Sequence, residues 1–334
     1  MTASHIEPVV HGGDIDAARA RFPDAPEPWI DLSTGINPRA YPVVPVDVDV
    51  WQRLPQSGAE RALREAAAQR YGAACAEQVV AAPGSQALIQ TLPRLVAATD
   101  VAILGPTYGE HAVSWARCGH RVMERGNLGE IGNVRVVVLV NPNNPTGRTI
   151  AAQQLRDLAA ALARRDGLLV VDEAFADFEE PGVSLVPQLP SATVVLRSFG
   201  KTYGLAGARL GFAIASDAGL CQRLRAELGP WAVSAPAVAV GTAALRDTAW
   251  LIAASERLAS DCGRLDTLLQ GVGFEIVGGT RLFRLARHER ARGIADKLGR
   301  AGILVRSFPT EPEWLRFGLP GSDGQWQRLT SALE

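Results

Sequence analysis

The 334 residues carry 47% hydrophobic and 21% charged side chains at a formal net charge of −1, the make-up of an ordinary soluble globular chain with room for one large domain and a smaller one. Interspersed charges leave no basic face for nucleic acid or acidic lipid, and no uninterrupted apolar run approaches the ~18 residues of a membrane-spanning helix. Cys75, Cys118, Cys221 and Cys262 form no Cys-x-x-Cys pair, and residues 1–10 lack the basic-then-apolar pattern of a secretion signal, so free thiols in a reducing cytoplasm are expected.

Up to residue 56 the chain is rich in proline and aspartate. Pro23, Pro26, Pro28, Pro38, Pro42, Pro45 and Pro55 interrupt any regular element, so this arm is expected to wrap over a surface rather than build a core. From residue 59 helix and strand patterns alternate: 59–71 reads as a helix, 78–82 as a strand, 85–98 as a helix, 101–104 as a strand and 110–118 as a helix. Four apolar runs of buried-strand length follow at 134–140, 167–171, 192–196 and 210–215. Between the first two lies a helical pattern, 151–165, with Leu155, Leu158 and Leu162 on one face. Such alternation predicts an α/β fold with a mostly parallel sheet covered by helices. After a helical stretch at 235–269 the texture changes to short strands at 274–277, 281–285 and 303–305, with a helix between the last two and another at the end. The expected organisation is an arm over 1–56, a large domain over 57–235, and connecting helices with a small α+β domain over 236–334.

In a parallel α/β sheet, ligands bind beyond the carboxyl ends of the strands. Run 78–82 leads into Pro83-Gly84-Ser85-Gln86, which opens a helix whose backbone N–H groups suit an anion. Run 134–140 leads into Asn141-Pro142-Asn143-Asn144-Pro145-Thr146-Gly147, too stiff and polar to be only a connector. Run 167–171 leads into Asp172-Glu173-Ala174-Phe175, and run 192–196 into Ser198-Phe199-Gly200-Lys201-Thr202-Tyr203-Gly204, with Arg209 beyond. Only two of the 34 basic residues are lysines, Lys201 and Lys297. An amine can shed its proton and condense with a carbonyl, which a guanidinium in a protein cannot, and Lys201 sits where such chemistry belongs. Lys297 falls in the charged helical pattern 290–300. Gly200-Lys201-Thr202 mimics the end of a phosphate-binding P-loop, but Val195 stands where that motif needs glycine. His5, His11, His111, His120 and His288 show no helical i, i+4 pairing, so a metal site has little support.

In order and interval this set resembles the pyridoxal-phosphate enzymes of fold type I, specifically their aminotransferase-like branch. The resemblance implies a fold type I PLP-dependent transferase architecture and pyridoxal 5'-phosphate as cofactor. Lys201 would be the Schiff-base lysine, and Asp172 the partner that keeps the pyridine nitrogen protonated. Asn144 would hydrogen-bond the phenolate oxygen, and Ser198, Arg209 and the Gly84-Ser85-Gln86 backbone would hold the phosphate. Tyr108, in Pro106-Thr107-Tyr108-Gly109, would stack on the ring. Arg316, in Trp314-Leu315-Arg316-Phe317, matches the carboxylate-binding arginine of the small domain. Two positions depart from the pattern: Phe175 stands where relatives commonly have tyrosine, and Leu54-Pro55 where a tyrosine-proline pair reaches a neighbouring subunit's cofactor phosphate. Each loss removes roughly one hydrogen bond, about 0.5–1.5 kcal/mol.

His11-Gly12-Gly13-Asp14, the segment 29–38 and the segments 172–178, 230–234 and 303–307 together resemble the threonine-phosphate decarboxylases of cobalamin biosynthesis, a subfamily in which Phe175 is expected. That resemblance implies decarboxylation of L-threonine O-3-phosphate to (R)-1-amino-2-propanol O-phosphate by a cytoplasmic homodimer, with the arm covering the substrate. His11, the Gly12 and Gly13 backbone, Asn37, Arg306 and Arg316 are the candidate donors to its carboxylate and phosphate, and the split between the two stays open. The alternatives are histidinol-phosphate aminotransferase, which shares the fold, the lysine and the aspartate, and a catalytically weak cofactor-binding scaffold that serves a membrane-bound cobalamin enzyme.

Overall fold

The computed structural model describes residues 11–43, 45–180 and 182–334, so the expectation for residues 1–10 lies outside the described residues. The first half of the chain contains α1 (Ile15–Arg21), β1 (Ile30–Leu32), α2 (Val48–Gln52), α3 (Ser57–Tyr71), β2 (Val79–Ala82), α4 (Ser85–Thr91), β3 (Asp100–Leu104), α5 (Glu110–Arg117), β4 (Arg121–Arg125), β5 (Val136–Val140) and α6 (Ala152–Ala163). It continues with β6 (Leu168–Asp172), β7 (Thr193–Ser198), α7 (Phe199–Thr202), β8 (Gly211–Ala215), α8 (Ala218–Leu228), α9 (Ala235–Arg246) and α10 (Thr248–Gly271). The last elements are β9 (Glu275–Thr280), β10 (Phe283–Arg287), α11 (Ala291–Arg300), β11 (Ile303–Phe308), β12 (Glu311–Gly318) and α12 (Asp323–Leu333).

Among the described residues, one sheet has seven strands in the order β2-β8-β7-β6-β5-β3-β4, and the other has five in the order β1-β11-β12-β10-β9. In the first, β3 to β7 run parallel, β8 runs against β7, and β2 runs against β8. Strands β5 and β8 are buried along their whole length, as a sheet covered on both faces requires. Its core includes Val80, Ile103, Trp115, Val170 and Leu224. This is the mostly parallel α/β sheet that the alternating pattern predicts. No single helix among the described residues is long and apolar enough to cross a membrane.

Contacts divide the chain into two compact units. Residues 41–144 and 148–250 form one, and among the described residues 11–40, 145–147 and 251–334 form the other. These limits differ from those expected at 56 and 235. The segment 11–40 belongs with the C-terminal residues because β1 pairs in parallel with β11, from Ile30↔Ile303 to Leu32↔Val305. Helix α9 stays with the first unit because it packs on α3.

The proline-rich segment is more regular than expected. Asp14 caps α1 by accepting the Ala17 N–H at 2.9 Å. Arg328 donates to the carbonyls of Pro26 (2.5 Å) and Pro28 (2.7 Å), so prolines that cannot donate are held through their acceptors. The helical stretch expected at 235–269 is two helices, because the Asp247 carboxylate accepts the Trp250 N–H at 2.9 Å and starts α10 afresh. The helix expected over 85–98 ends at Thr91, where a short 3-10 turn carrying Pro93 takes over.

Candidate active site

Strand direction places every expected cofactor residue at one edge of the seven-stranded sheet. Gly84, Ser85 and Gln86 follow β2, Tyr108 follows β3, and Asn144 follows β5. Asp172 closes β6, Ser198 closes β7, Lys201 lies on α7, and Arg209 precedes β8. Because β8 runs against β7 and β2 against β8, residues before β8 and after β2 meet those after β7. Asp172 is itself the last strand residue, paired with Val140 and Leu196, rather than the first residue beyond the strand.

Asp172 is buried, with Oδ2 3.0 Å from His111 Nε2 and Oδ1 accepting the Ala174 N–H at 3.0 Å. Burial pushes its carboxyl up, but the hydrogen bond and charge of His111, the charge of Lys201 and the Ala174 N–H outweigh burial and hold it below the usual carboxylate range. Lys201 Nζ stands 4.8 Å from the centre of the Phe175 ring, so the residue in the tyrosine position presents an aromatic face to the amine. Sequence reasoning weighed His111 only as a metal ligand and missed its contact with Asp172. Nothing local signals that contact, since α5 follows β3 while Asp172 closes β6, with β5 between them.

A close-packed turn surrounds Arg209. Gly84 has a φ of +84°, and a Cβ there would lie 2.7 Å from Arg209 Nη2. A Cβ on Gly211 would lie 2.4 Å from the Ser85 nitrogen. Gly84 supplies no side-chain cap to α4, whose Ala87 N–H donates to the Gly84 carbonyl at 3.3 Å, and Ser198 supplies none to α7, which leaves the Ser198 hydroxyl uncommitted to capping. Gln86 Nε2 donates to Glu110 Oε2 at 2.8 Å, and the Tyr108 hydroxyl donates to Gln86 Oε1 at 3.2 Å. The Tyr108 ring meets His111 edge-on, with centroids 6.1 Å apart. Asn144 is half-buried in a turn braced by its neighbours. Asn141 exchanges two hydrogen bonds with Ile150, and Asn143 accepts from Thr107 Oγ1 at 2.7 Å while donating to the Pro106 carbonyl at 2.9 Å.

A cradle that a methyl group would fill, closed by a guanidinium, fits a phosphate. A buried carboxylate fits a protonated ring nitrogen, and an amine on a short turn fits a carbonyl carbon. The donor set therefore fits pyridoxal phosphate.

The expected substrate residues belong to the second unit. His11 is exposed. A Cβ on Gly12 would lie 2.6 Å from the Ser33 carbonyl oxygen, and the Gly13 N–H donates to Ser33 Oγ at 2.7 Å. Buried Arg316 donates from Nη2 to the Ser33 carbonyl at 2.7 Å and lies over the Phe283 ring. Arg306 pairs directly with Arg316 across β11 and β12. Like charges facing across a strand pair repel, and an anion relieves that repulsion. Asn37 is buried, and its Oδ1 accepts the Arg39 N–H at 3.1 Å.

Residues 49–333 match the family described as aminotransferase class I and II. A threonine-phosphate decarboxylase of Pseudomonas aeruginosa is 41% identical over 326 residues, covering 97% of this chain and 96% of that protein. A threonine-phosphate decarboxylase of a Sinorhizobium species is 42% identical over 332 residues, covering 98% of each. The crystal structure of histidinol-phosphate aminotransferase from Sinorhizobium meliloti, in complex with pyridoxal 5'-phosphate, superposes with a TM-score of 0.82 at 23% identity, covering 99% of this chain and 97% of that one. That likeness establishes the shared fold.

Proposed function

The chain belongs to the aminotransferase class I and II family, and on that premise we propose that it is a pyridoxal-phosphate-dependent decarboxylase that converts L-threonine O-3-phosphate to (R)-1-amino-2-propanol O-phosphate and CO2 in cobalamin biosynthesis. The observation that carries this reading is the 41% and 42% identity to two threonine-phosphate decarboxylases across nearly their whole length. When bound, pyridoxal phosphate draws electrons from the substrate's α-carbon. Asp172, kept ionised by His111 and the Ala174 N–H, stabilises the proton on the pyridine nitrogen. Lys201 offers the amine that holds the cofactor's carbonyl carbon. Ser198, Arg209 and the backbone of Gly84, Ser85 and Gln86 would hold the phosphate, Asn144 would donate to the phenolate oxygen, and Tyr108 would lie against the ring.

Arg306 and Arg316, register partners on β11 and β12, with His11, Gly12, Gly13 and Asn37, serve the substrate's two anionic groups. Charge-assisted and bidentate bonds give such donors both strength and direction. Direction matters because the α-carbon bond that breaks is the one held perpendicular to the plane of the electron-accepting ring, a matter of positioning rather than of reagent. Exposed Val48, Trp51 and Leu54 support the reading of a homodimer. The test is turnover of L-threonine O-3-phosphate, followed as CO2 and aminopropanol phosphate, beside histidinol phosphate with 2-oxoglutarate. Preferred turnover of the first supports the reading; preferred amino transfer from the second refutes it.

A further inference from the structure

A buried network of charges touches the site without taking any of the roles above. Arg197 donates from Nη1 to Glu173 Oε2 at 2.7 Å and from Nη2 to Asp177 Oδ1 at 2.8 Å. Arg70 Nη2 donates to the same Asp177 oxygen at 2.8 Å, and Thr202 Oγ1 donates to Asp177 Oδ2 at 2.6 Å. Ser184 Oγ and the Leu185 N–H complete Glu173 at 2.6 and 2.8 Å. The side chains of Arg197, Glu173 and Asp177 are no more than 3% exposed. Burial pushes Asp177 up, but the two guanidinium groups and the Thr202 hydroxyl outweigh it and hold the carboxyl low. Buried ion pairs seldom repay their desolvation as net stability, so what such a network supplies is fixed geometry.

Three of its members are chain neighbours of site residues. Glu173 follows Asp172, Arg197 precedes Ser198, and Thr202 follows Lys201. Arg197 and Ser198 are successive on β7 and point to opposite faces, so anchoring Arg197 fixes Ser198, while Glu173 and Thr202 anchor the backbone next to Asp172 and Lys201. Lys201 needs such an anchor most, because α7 is a single turn of four residues, far below the length at which a helix holds itself. The turn also presses on the segment that follows, where a Cβ on Gly200 would lie 2.7 Å from Ala206 Cα.

We propose that Asp177 is a positioning residue: held by Arg70 and Arg197, it grips the Thr202 hydroxyl and so sets where α7 presents the Lys201 amine. The inference rests on the reading of Lys201 as the amine that holds the cofactor.

Thr202→Val removes the hydroxyl while nearly conserving shape, and Thr202→Ser restores it. Holoenzymes of the parent and both variants are compared in kcat and KM for L-threonine phosphate, in the pH titration of the bound-cofactor absorption band, in the rate of borohydride fixation to Lys201, and in thermal unfolding. Thr202→Val is expected to lose about ten- to a hundredfold in kcat with KM within about threefold, the loss of one hydrogen bond to a charged group. Its absorption titration should shift and its fixation slow, while Thr202→Ser should match the parent. A Thr202→Val protein whose melting temperature alone changes overturns the proposal. Should that variant fail to fold, Thr202→Ala carries the same readouts. A parent in which borohydride labels no Lys201 refutes the underlying reading instead, and the positioning role falls with it.

Discussion

Gly84→Ala probes the phosphate cradle with one methyl group. With φ at +84° and ψ at 157°, a region open essentially to glycine alone, an L-residue here costs on the order of 1–3 kcal/mol. The new Cβ would also arrive 2.7 Å from Arg209 Nη2 and 3.2 Å from its Cζ, so the guanidinium has to move. Because the obstacle is the far end of a flexible side chain, the fold survives while the cradle opens. One charge-assisted hydrogen bond is worth about 1.5–3 kcal/mol, so pyridoxal phosphate should bind about ten- to a hundredfold more weakly. Titration of the apo-protein followed by absorbance measures this, with thermal unfolding alongside. Gly58→Ala in α3, where a Cβ meets nothing within 4 Å, should leave affinity unchanged. Combining Gly84→Ala with Arg209→Ala should cost little more than either alone, since both act through one guanidinium. Parent-like affinity in Gly84→Ala, or full additivity in the double variant, would refute the cradle.

Asp172→Asn should keep the fold and cofactor loading yet lower kcat far more than it changes KM, and near-parent kcat would rule its role out. The folded pKa of Asp172 lies below an unfolded value of about 3.9, so its contribution to stability is complete above that pH and is lost as pH falls through the folded pKa. Acid unfolding of the apo-protein below about pH 4 should therefore flatten in Asp172→Asn, and an unchanged acid limb would contradict the lowered pKa. His11→Ala should cut kcat/KM for L-threonine phosphate by about ten- to a hundredfold while leaving cofactor loading, and the slow turnover of unphosphorylated threonine, little changed. Equal losses on both substrates, or none on either, would make His11 structural.

The sheet and its chemical edge were legible because the buried strands are short apolar runs and the reactive residues follow them directly, as Lys201 follows β7 and Asn144 follows β5. Strand β4 escaped because it is an edge strand with little buried surface, and Arg121, Glu124 and Arg125 give it no apolar signature. Strand β12 escaped because its first half, Glu311-Pro312-Glu313, is exposed, and only Leu315 to Gly318 is buried. The His111–Asp172 contact and the Asp177 network join residues far apart in the chain, through a strand order that no local pattern encodes. Arg70 reaches Asp177 across 107 positions. The proline-rich segment misled for a different reason: its order comes from β11 and from Arg328, not from its own composition.

Decarboxylation is tested most directly by following the substrate's own atoms. L-threonine O-3-phosphate labelled with carbon-13 in its carboxyl group is turned over by the holoenzyme in deuterated water, with 2-oxoglutarate present as an amino acceptor. The account predicts that all of the label leaves as CO2, and that the aminopropanol phosphate keeps the original α-hydrogen and gains a single deuteron at the same carbon. Label retained in an oxo acid, with the α-hydrogen lost to solvent, would contradict it and make the protein an aminotransferase.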